Sequence, residues 1–358
     1  MRVRGRGILT QEDNRREGPE GLTSGRITPR PSRSAGEASM SGSLRNWLLD
    51  ADPSVRWQVL QDVIGAPADD VARERARVAT EGLGARLLAL QDAGGTWGGV
   101  AWNRGWDSTM HVLMLLRDFG LDPASEAARR AVHRVHQHAT WPGWGPDGGA
   151  NPFFAGEVEP CINGQVAAVG AYFGQDVRAL IDRLLGEQLP DGGWNCEAQN
   201  GAVHSSFNTT ICVLEALLAY ERAGCGEMRA DVRTARLRGQ EYLLERRLFR
   251  RRSTGEIIRR DRKDGTVWTH FAFPTWWHYD VLRGLDYLRS ADAAPDGRVA
   301  EAIELVESKR DKDGRWRLDV RYVGRIPVAI DDGEGHPSRW NTLRALRVLR
   351  WYEGHAPA

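Results

Sequence analysis

The chain has 358 residues, 41% of them hydrophobic, which is enough apolar mass for a large core in one long domain. Its 49 Lys and Arg nearly cancel its 48 Asp and Glu, so a net charge of +1 supplies no field to draw in nucleic acid, and that class of partner is excluded. Cys161, Cys196, Cys212 and Cys225 follow no Cys-x-x-Cys spacing, no apolar signal segment precedes them, and no run reaches the roughly 18 apolar residues of a spanning helix. A reducing, cytoplasmic setting is expected, with any membrane contact confined to the surface.

Residues 1–39 are rich in Arg, Gly, Ser, Pro and Glu without apolar periodicity, so they are expected to be a disordered tail, and Met40 stands where an alternative start would fall. Residues 40–358 are expected to form one domain. Within it a pattern of amphipathic helix, Gly-rich turn and apolar helix recurs. The turns run Gln91 to Trp97, Gln188 to Trp194 and Arg310 to Trp316, with a looser relative at Pro146 to Gly149. Asp-Gly supplies the turn chemistry, and each Trp can pack on a helix end.

Val55 to Leu60, Trp106 to Phe119, Ile162 to Phe173, Phe207 to Tyr220, Trp276 to Leu288 and Trp340 to Trp351 are apolar on most sides, which predicts buried inner helices. Ser125 to His138, Asp176 to Gln188, Asp231 to Leu248 and Asp296 to Arg310 carry one apolar stripe and one charged face, which predicts outer helices. About six such hairpins bury their faces best when the last meets the first, so the expected fold is all-α, a closed (α/α)6 toroid with an inner and an outer helix ring around a cavity. An open solenoid is the alternative.

The run Gln188-Leu189-Pro190-Asp191-Gly192-Gly193-Trp194 resembles the Gln-Trp repeat of squalene-hopene and oxidosqualene cyclases, and similar turns occur in protein prenyltransferase β subunits. The resemblance spans most of residues 44–352. It is nearest to short bacterial proteins carrying prenyltransferase and squalene-oxidase repeats. What it implies is a terpenoid-cyclase-like toroid holding an isoprenoid or other hydrophobic substrate, with a cyclase, isomerase or transferase reaction left open. The catalytic signatures of those enzymes do not carry over. Of the class II acid motif Asp-x-Asp-Asp only Asp107 survives in Arg104-Gly105-Trp106-Asp107, and Asp50-Ala51-Asp52-Pro53 and Asp331-Asp332-Gly333 are incomplete. Ser206, Asn208 and Asn341 stand where prenyltransferase zinc ligands are aligned, and Asp69-Asp70 does not extend into a class I motif. No cofactor and no resident metal are therefore expected.

The heads of the inner helices gather the candidate catalytic residues His278, Asp280, Asp107, Cys161 and His204, and the candidate substrate-binding residues Trp106, Phe207, Trp276, Trp277, Trp340 and Arg339. A His beside a carboxylate can move a proton, and indole faces can hold an apolar chain or a carbocation. They are expected to line one end of one cavity. The plainer readings are that Ser108, Asn163 and Ser206 cap helices, that His278 and Asp280 are a structural pair, and that His133, His136 and His138 lie on a solvated face. Cys161, Cys196, His204 and His278 could meet around a metal only without the short ligand spacing usual for one. Gly224 to Met228 resembles a thioester motif with Met228 in place of its Gln, and is read as a turn. Glu215, set among apolar residues, should pair with an Arg of a neighbouring helix. Arg246, Arg247, Arg250, Arg251 and Arg252 either grip a diphosphate or an anionic membrane surface, or form a solvated helix end. Two further functions stay open. One is a non-catalytic lipid- or protein-binding toroid; the other is a carbohydrate-active toroid, for which Asp107 and Asp280 are the sole carboxylate pair. Composition gives no oligomeric state.

Overall fold

The computed structural model describes residues 40–143, 145–224, 229–258 and 268–354. The expected tail, 1–39, and the segment 225–228 of the thioester-like run lie outside the described residues. The described chain is mostly helical. Two short helices, α1 (Gly42–Leu49) and α2 (Pro53–Val59), open it; Pro53 fills the first position of α2, and Asp52 caps it by accepting from the Ser54 amide at 2.9 Å. Then follow α3 (Ala68–Ala76), α4 (Gly82–Ala89), α5 (Thr109–Asp118), α6 (Glu126–His138), α7 (Pro160–Tyr172) and α8 (Arg178–Gly186). The series ends with α9 (Phe207–Arg222), α10 (Ala230–Glu245), α11 (Val281–Ser290), α12 (Ala300–Ser308) and α13 (Arg339–Glu353).

The two kinds of helix read from the sequence are present. Every residue of α7 from Pro160 to Ala171 is buried, as is α5 from Thr109 to Leu116. By contrast α6 buries only Ala128, Ala131, Val132 and Val135, and its His133, His136 and His138 face solvent. The buried helices touch in chain order. The Trp57 indole of α2 donates to Phe119 O at the end of α5 (2.8 Å), α5 packs on α7, α7 along α9, and Glu215 of α9 pairs with Arg283 of α11. Then α11 packs on α13, whose Arg347 donates to Gln58 of α2 at 2.7 Å and pairs with Asp62 just beyond it. Asn208, near the start of α9, accepts the Tyr279 amide ahead of α11, so these helix heads share one end of the molecule.

The three Gly-rich turns that end in Trp close the same way. The indole N–H of Trp97, Trp194 and Trp316 donates to the carbonyl ten residues earlier, on Leu87, Leu184 and Val306 at 2.6–2.7 Å. The same tryptophans donate their backbone N–H to Thr109, Thr210 and Thr342 on the following buried helix at 3.0–3.2 Å. Gln91 and Gln188 add a tie to the next outer helix, through Ala131 O and Ala235 O. Gly192 is required in its turn twice over: its φ is +97°, and a Cβ there would lie 2.7 Å from Arg238 O. One Trp thus joins an outer helix, a turn and an inner helix. Trp194→Phe keeps the ring but leaves the buried Leu184 carbonyl unpaired, and is expected to cost about 1–3 kcal/mol in urea unfolding. An unchanged midpoint and slope would show that the indole bond contributes nothing.

Short antiparallel ladders frame two excursions: Thr140–Trp141 (β1) pairs with Asn151–Pro152 (β2), and Trp316–Arg317 (β3) with Pro337–Ser338 (β4). The second ladder launches a strap, residues 318–336, across the end of the molecule that carries the helix heads.

Candidate functional site

The helical pattern running from Trp276 stops short in the structure: α11 begins only at Val281, and Trp276 has φ +52°. The loop ahead of it is held by one cation. Arg283 places Nε and Nη2 on Glu215 at 2.7 and 2.9 Å, while Nη1 donates to the carbonyls of Trp276 (2.9 Å) and His278 (2.7 Å). Burial alone would raise the Glu215 carboxyl; Arg283 outweighs it and holds the group below its usual range. This is the Arg partner the sequence required for Glu215. Asp280 is spent on the backbone: Oδ1 caps α11 through the Arg283 amide (2.7 Å) and Oδ2 accepts from the Ala272 amide (3.2 Å). Its burial pushes the carboxyl up in spite of Arg344.

The loop delivers Trp276 into an aromatic box. Its ring stacks on that of Trp106, with centroids 5.3 Å apart and planes 5° from parallel, and His111 stands edge-on to both at 5.0 Å. Trp102 flanks His111 at 6.3 Å. His278 lies 6.0 Å from Trp106 and is sandwiched between Trp277 (3.7 Å) and Tyr322 of the strap (3.5 Å). The strap is fastened to the box. Trp106 Nε1 donates to Val323 O at 2.8 Å, the Arg325 amide donates to Gly105 O at 2.6 Å, and Arg325 pairs with Asp107 at 3.1 Å. Gly324 lets it lie flat, since a Cβ there would fall 1.9 Å from the Trp106 ring.

Two features set this box apart from ordinary core. Trp106 shares the left-handed backbone of Trp276, with φ +64°, a conformation that bulky residues rarely adopt. In addition, Nε1 of Trp102, Nε1 of Trp276 and Nε2 of His111 are buried with no hydrogen-bond partner among the described residues. The other His111 nitrogen, Nδ1, lies 2.7 Å from Ser108 Oγ. Burial drives the His111 pKa down to about 3, so the ring is neutral at physiological pH.

The structure divides the residues expected at one site. Trp106, Trp276, Trp277 and His278 meet in the box, and Asp107 lies beside it with its carboxylate taken by Asn103 (2.7 Å) and Arg325. Phe207 belongs to another cluster, with Trp268, Tyr279 and Tyr242. Trp340 stacks between Phe119 and Phe273. Arg339 sits over the Trp47 ring at 4.9 Å and donates to Trp47 O, tying α13 to α1. His204 is exposed in a loop. Cys161 lies instead with Glu159 and Cys196, the three ligand-type atoms within 4.8 Å of one another. The Cys196 neighbour, followed by burial, pushes the Cys161 thiol well above its usual range.

Capping also departs from expectation. Ser108 and Ser206 occupy the N-cap positions of α5 and α9 without a capping side-chain bond, and the Asn163 amide group instead spans the Glu157 backbone. In the basic run, Arg250 pairs with Glu301 and Arg252 with Glu245, while Arg246 covers Tyr242 at 3.8 Å. Asn208 and Asn341, aligned with prenyltransferase zinc ligands, bind backbone groups. Two surface grooves of about 380 and 300 Å³ lie elsewhere, the first lined by Leu237, Leu244, Leu288 and Trp351, the second by Arg129, His133, His136 and Phe173. None of the site candidates lines either, and neither holds an unpartnered buried donor, so the box is the stronger candidate. No helix among the described residues is long and apolar enough to cross a membrane.

No protein-family model and no curated protein matches this chain. Among solved structures it is similar to a type II terpene cyclase, MstE from Scytonema. A variant of that enzyme in complex with geranylgeranyl dihydroxybenzoate aligns with a TM-score of 0.41 and 18% identity, over 85% of this chain and 88% of that one. A variant bound to merosterolic acid A gives 0.40 and 16% over 85% and 88%, and the apo enzyme 0.39 and 17% over 84% and 88%.

Proposed function

We propose that the chain is a closed (α/α)6 toroid that holds an isoprenoid, or a similarly apolar molecule with an oxygen-bearing head, in the aromatic box beneath the strap. Closure is supported by the run of contacts from α2 through α5, α7, α9, α11 and α13 back to α2. The binding reading is carried by Trp106 and Trp276. Both are buried, stacked and held in left-handed backbone, a strain of about 1–3 kcal/mol per residue that persists where the surroundings, and often a function, require it. A ligand oxygen would satisfy the Trp276 and Trp102 indole donors, and flat indole faces suit an unsaturated hydrocarbon chain. Asp107 and Asp280 are both engaged by protein groups, which supports binding over acid-initiated cyclisation and over the carboxylate pair of a glycoside hydrolase. A cytoplasmic location with peripheral membrane contact goes with such a cargo.

Calorimetric titration with geranylgeraniol tests this reading. One molecule should bind per chain with a negative heat-capacity change, and Trp276→Ala should weaken binding by at least about tenfold through lost aromatic area. Absence of binding by the folded wild-type chain would overturn it.

A further inference from the structure

The group at the start of α7 lies outside the aromatic box and has a chemistry of its own. Glu159 is the N-cap residue of α7, Pro160 fixes the first helical position, and Cys161 follows one residue on, so a carboxylate and a thiol leave one rigid helix start. Cys196 comes from the short helical turn Cys196–Asn200 that follows the Gln188 to Trp194 clasp. That turn is fixed as well: Asn195 caps it by accepting from the Glu197 amide at 2.9 Å, and the Cys196 amide donates to Thr209 Oγ1 at 3.3 Å. Two independently anchored segments thus bring together two sulfurs and a carboxylate oxygen, all within 4.8 Å of one another.

Those separations suit a tetrahedral ion. Zinc–sulfur bonds of about 2.3 Å and a zinc–oxygen bond of about 2.0 Å, at the tetrahedral angle, set the S···O edge near about 3.5 Å and the S···S edge near about 3.8 Å. Cys161 Sγ lies 3.7 Å from Glu159 Oε2. Two soft thiolates with one carboxylate select zinc over magnesium or calcium, which take oxygen ligands alone. From this geometry we propose that Glu159, Cys161 and Cys196 form a zinc-type metal site with three protein ligands and a fourth coordination position open to water or to a ligand's oxygen or sulfur. Two thiolates and a carboxylate around a divalent ion leave one net negative charge; of the charged neighbours that act on Glu159, Glu197 opposes its ionisation and Arg104 favours it. The site differs from the Cys and His combination considered on the sequence. Glu159 completes the set, His204 and His278 are not in it, and Cys212 turns its sulfur to Trp277 O (3.8 Å) and Arg283 (3.9 Å).

The test uses the full chain, kept reduced, with cobalt(II) chloride as a spectroscopic probe and zinc chloride as competitor. One equivalent of cobalt should bind and produce thiolate-to-cobalt charge-transfer absorption with the intense d–d bands of a tetrahedral site, and one equivalent of zinc should abolish both. Cys161→Ser and Cys196→Ser should each weaken zinc binding by more than about 100-fold, beyond the 10–100-fold that outer-shell substitutions cause. Glu159→Gln, with folding verified by circular dichroism, should weaken it while retaining the sulfur charge-transfer band, and Cys212→Ser should leave the spectrum unchanged. The proposal is overturned if the reduced chain takes up no stoichiometric cobalt, or if the two Cys variants bind as wild type does. Formation of a Cys161–Cys196 disulfide by a chain that binds no metal when reduced would overturn it too. Because no isoprenoid enters this assay, its failure is distinct from failure of the ligand-binding reading.

Discussion

Acidification from pH 6.5 to pH 3 is expected to remove as much as about 4 kcal/mol of stability through His111 alone. Burial lowers the folded-state pKa of this ring from 6.5 to about 3, so the folded chain keeps it neutral while the unfolded chain takes up a proton. A depressed histidine contributes its stability in full above the unfolded value and loses it as pH falls through the window to the folded value. The check is the unfolding free energy in urea at pH 7, 5 and 4 for wild type and His111→Asn, which can keep a hydrogen bond to Ser108. The wild-type curve should fall more steeply than the variant's below pH 6.5. Parallel curves would mean that the ring is not sealed in the box.

The second large effect is expected at Arg283. Arg283→Met removes the bidentate partner of Glu215 and the donor to the Trp276 and His278 carbonyls, leaving the carboxylate with only the longer Arg117 pair at 3.9 Å and two backbone acceptors without Arg283. Breaking a buried pair in this way costs about 3–5 kcal/mol, and Glu215→Met made on the same chain should recover part of it. Arg283→Lys keeps the charge but cannot hold a carboxylate fork and two carbonyls at once, so most of the loss should persist. Geranylgeraniol binding by Arg283→Lys at a temperature where it stays folded should also fall, because the loop carrying Trp276 is no longer pinned. Additive, independent effects of the Arg283 and Glu215 substitutions would contradict the clamp.

Local chemistry explains what could be read in advance. Asp-Gly turns followed by Trp announce themselves because turn and packing residue are adjacent in sequence, and all three bond as one motif. Fully apolar and striped helices separate by pattern alone, so the buried α7 and the half-exposed α6 fall where expected. The site was legible only in part. Trp106, Trp276, Trp277 and His278 were marked by their place before inner helices, but Asp280 carries the ordinary signature of a helix cap, which is what it became. His111 was hidden inside an apolar run, where a single imidazole reads as core. Tyr322 and Val323 reach the box through a strap more than two hundred residues beyond Trp106, and no local pattern encodes that crossing. Glu159 carried no sequence signal for the proposed metal site, because its grouping with Cys196 joins the start of α7 to a turn far along the chain.

Native mass spectrometry of the protein purified from its own cells addresses the ligand-binding claim most directly. The expected result is a 1:1 adduct whose mass and fragmentation identify an isoprenoid or similar apolar molecule carrying oxygen, present in wild type and lost in Trp276→Ala. A wild-type chain that appears only at its own mass, and that takes up no added geranylgeraniol under the same conditions, would contradict the account.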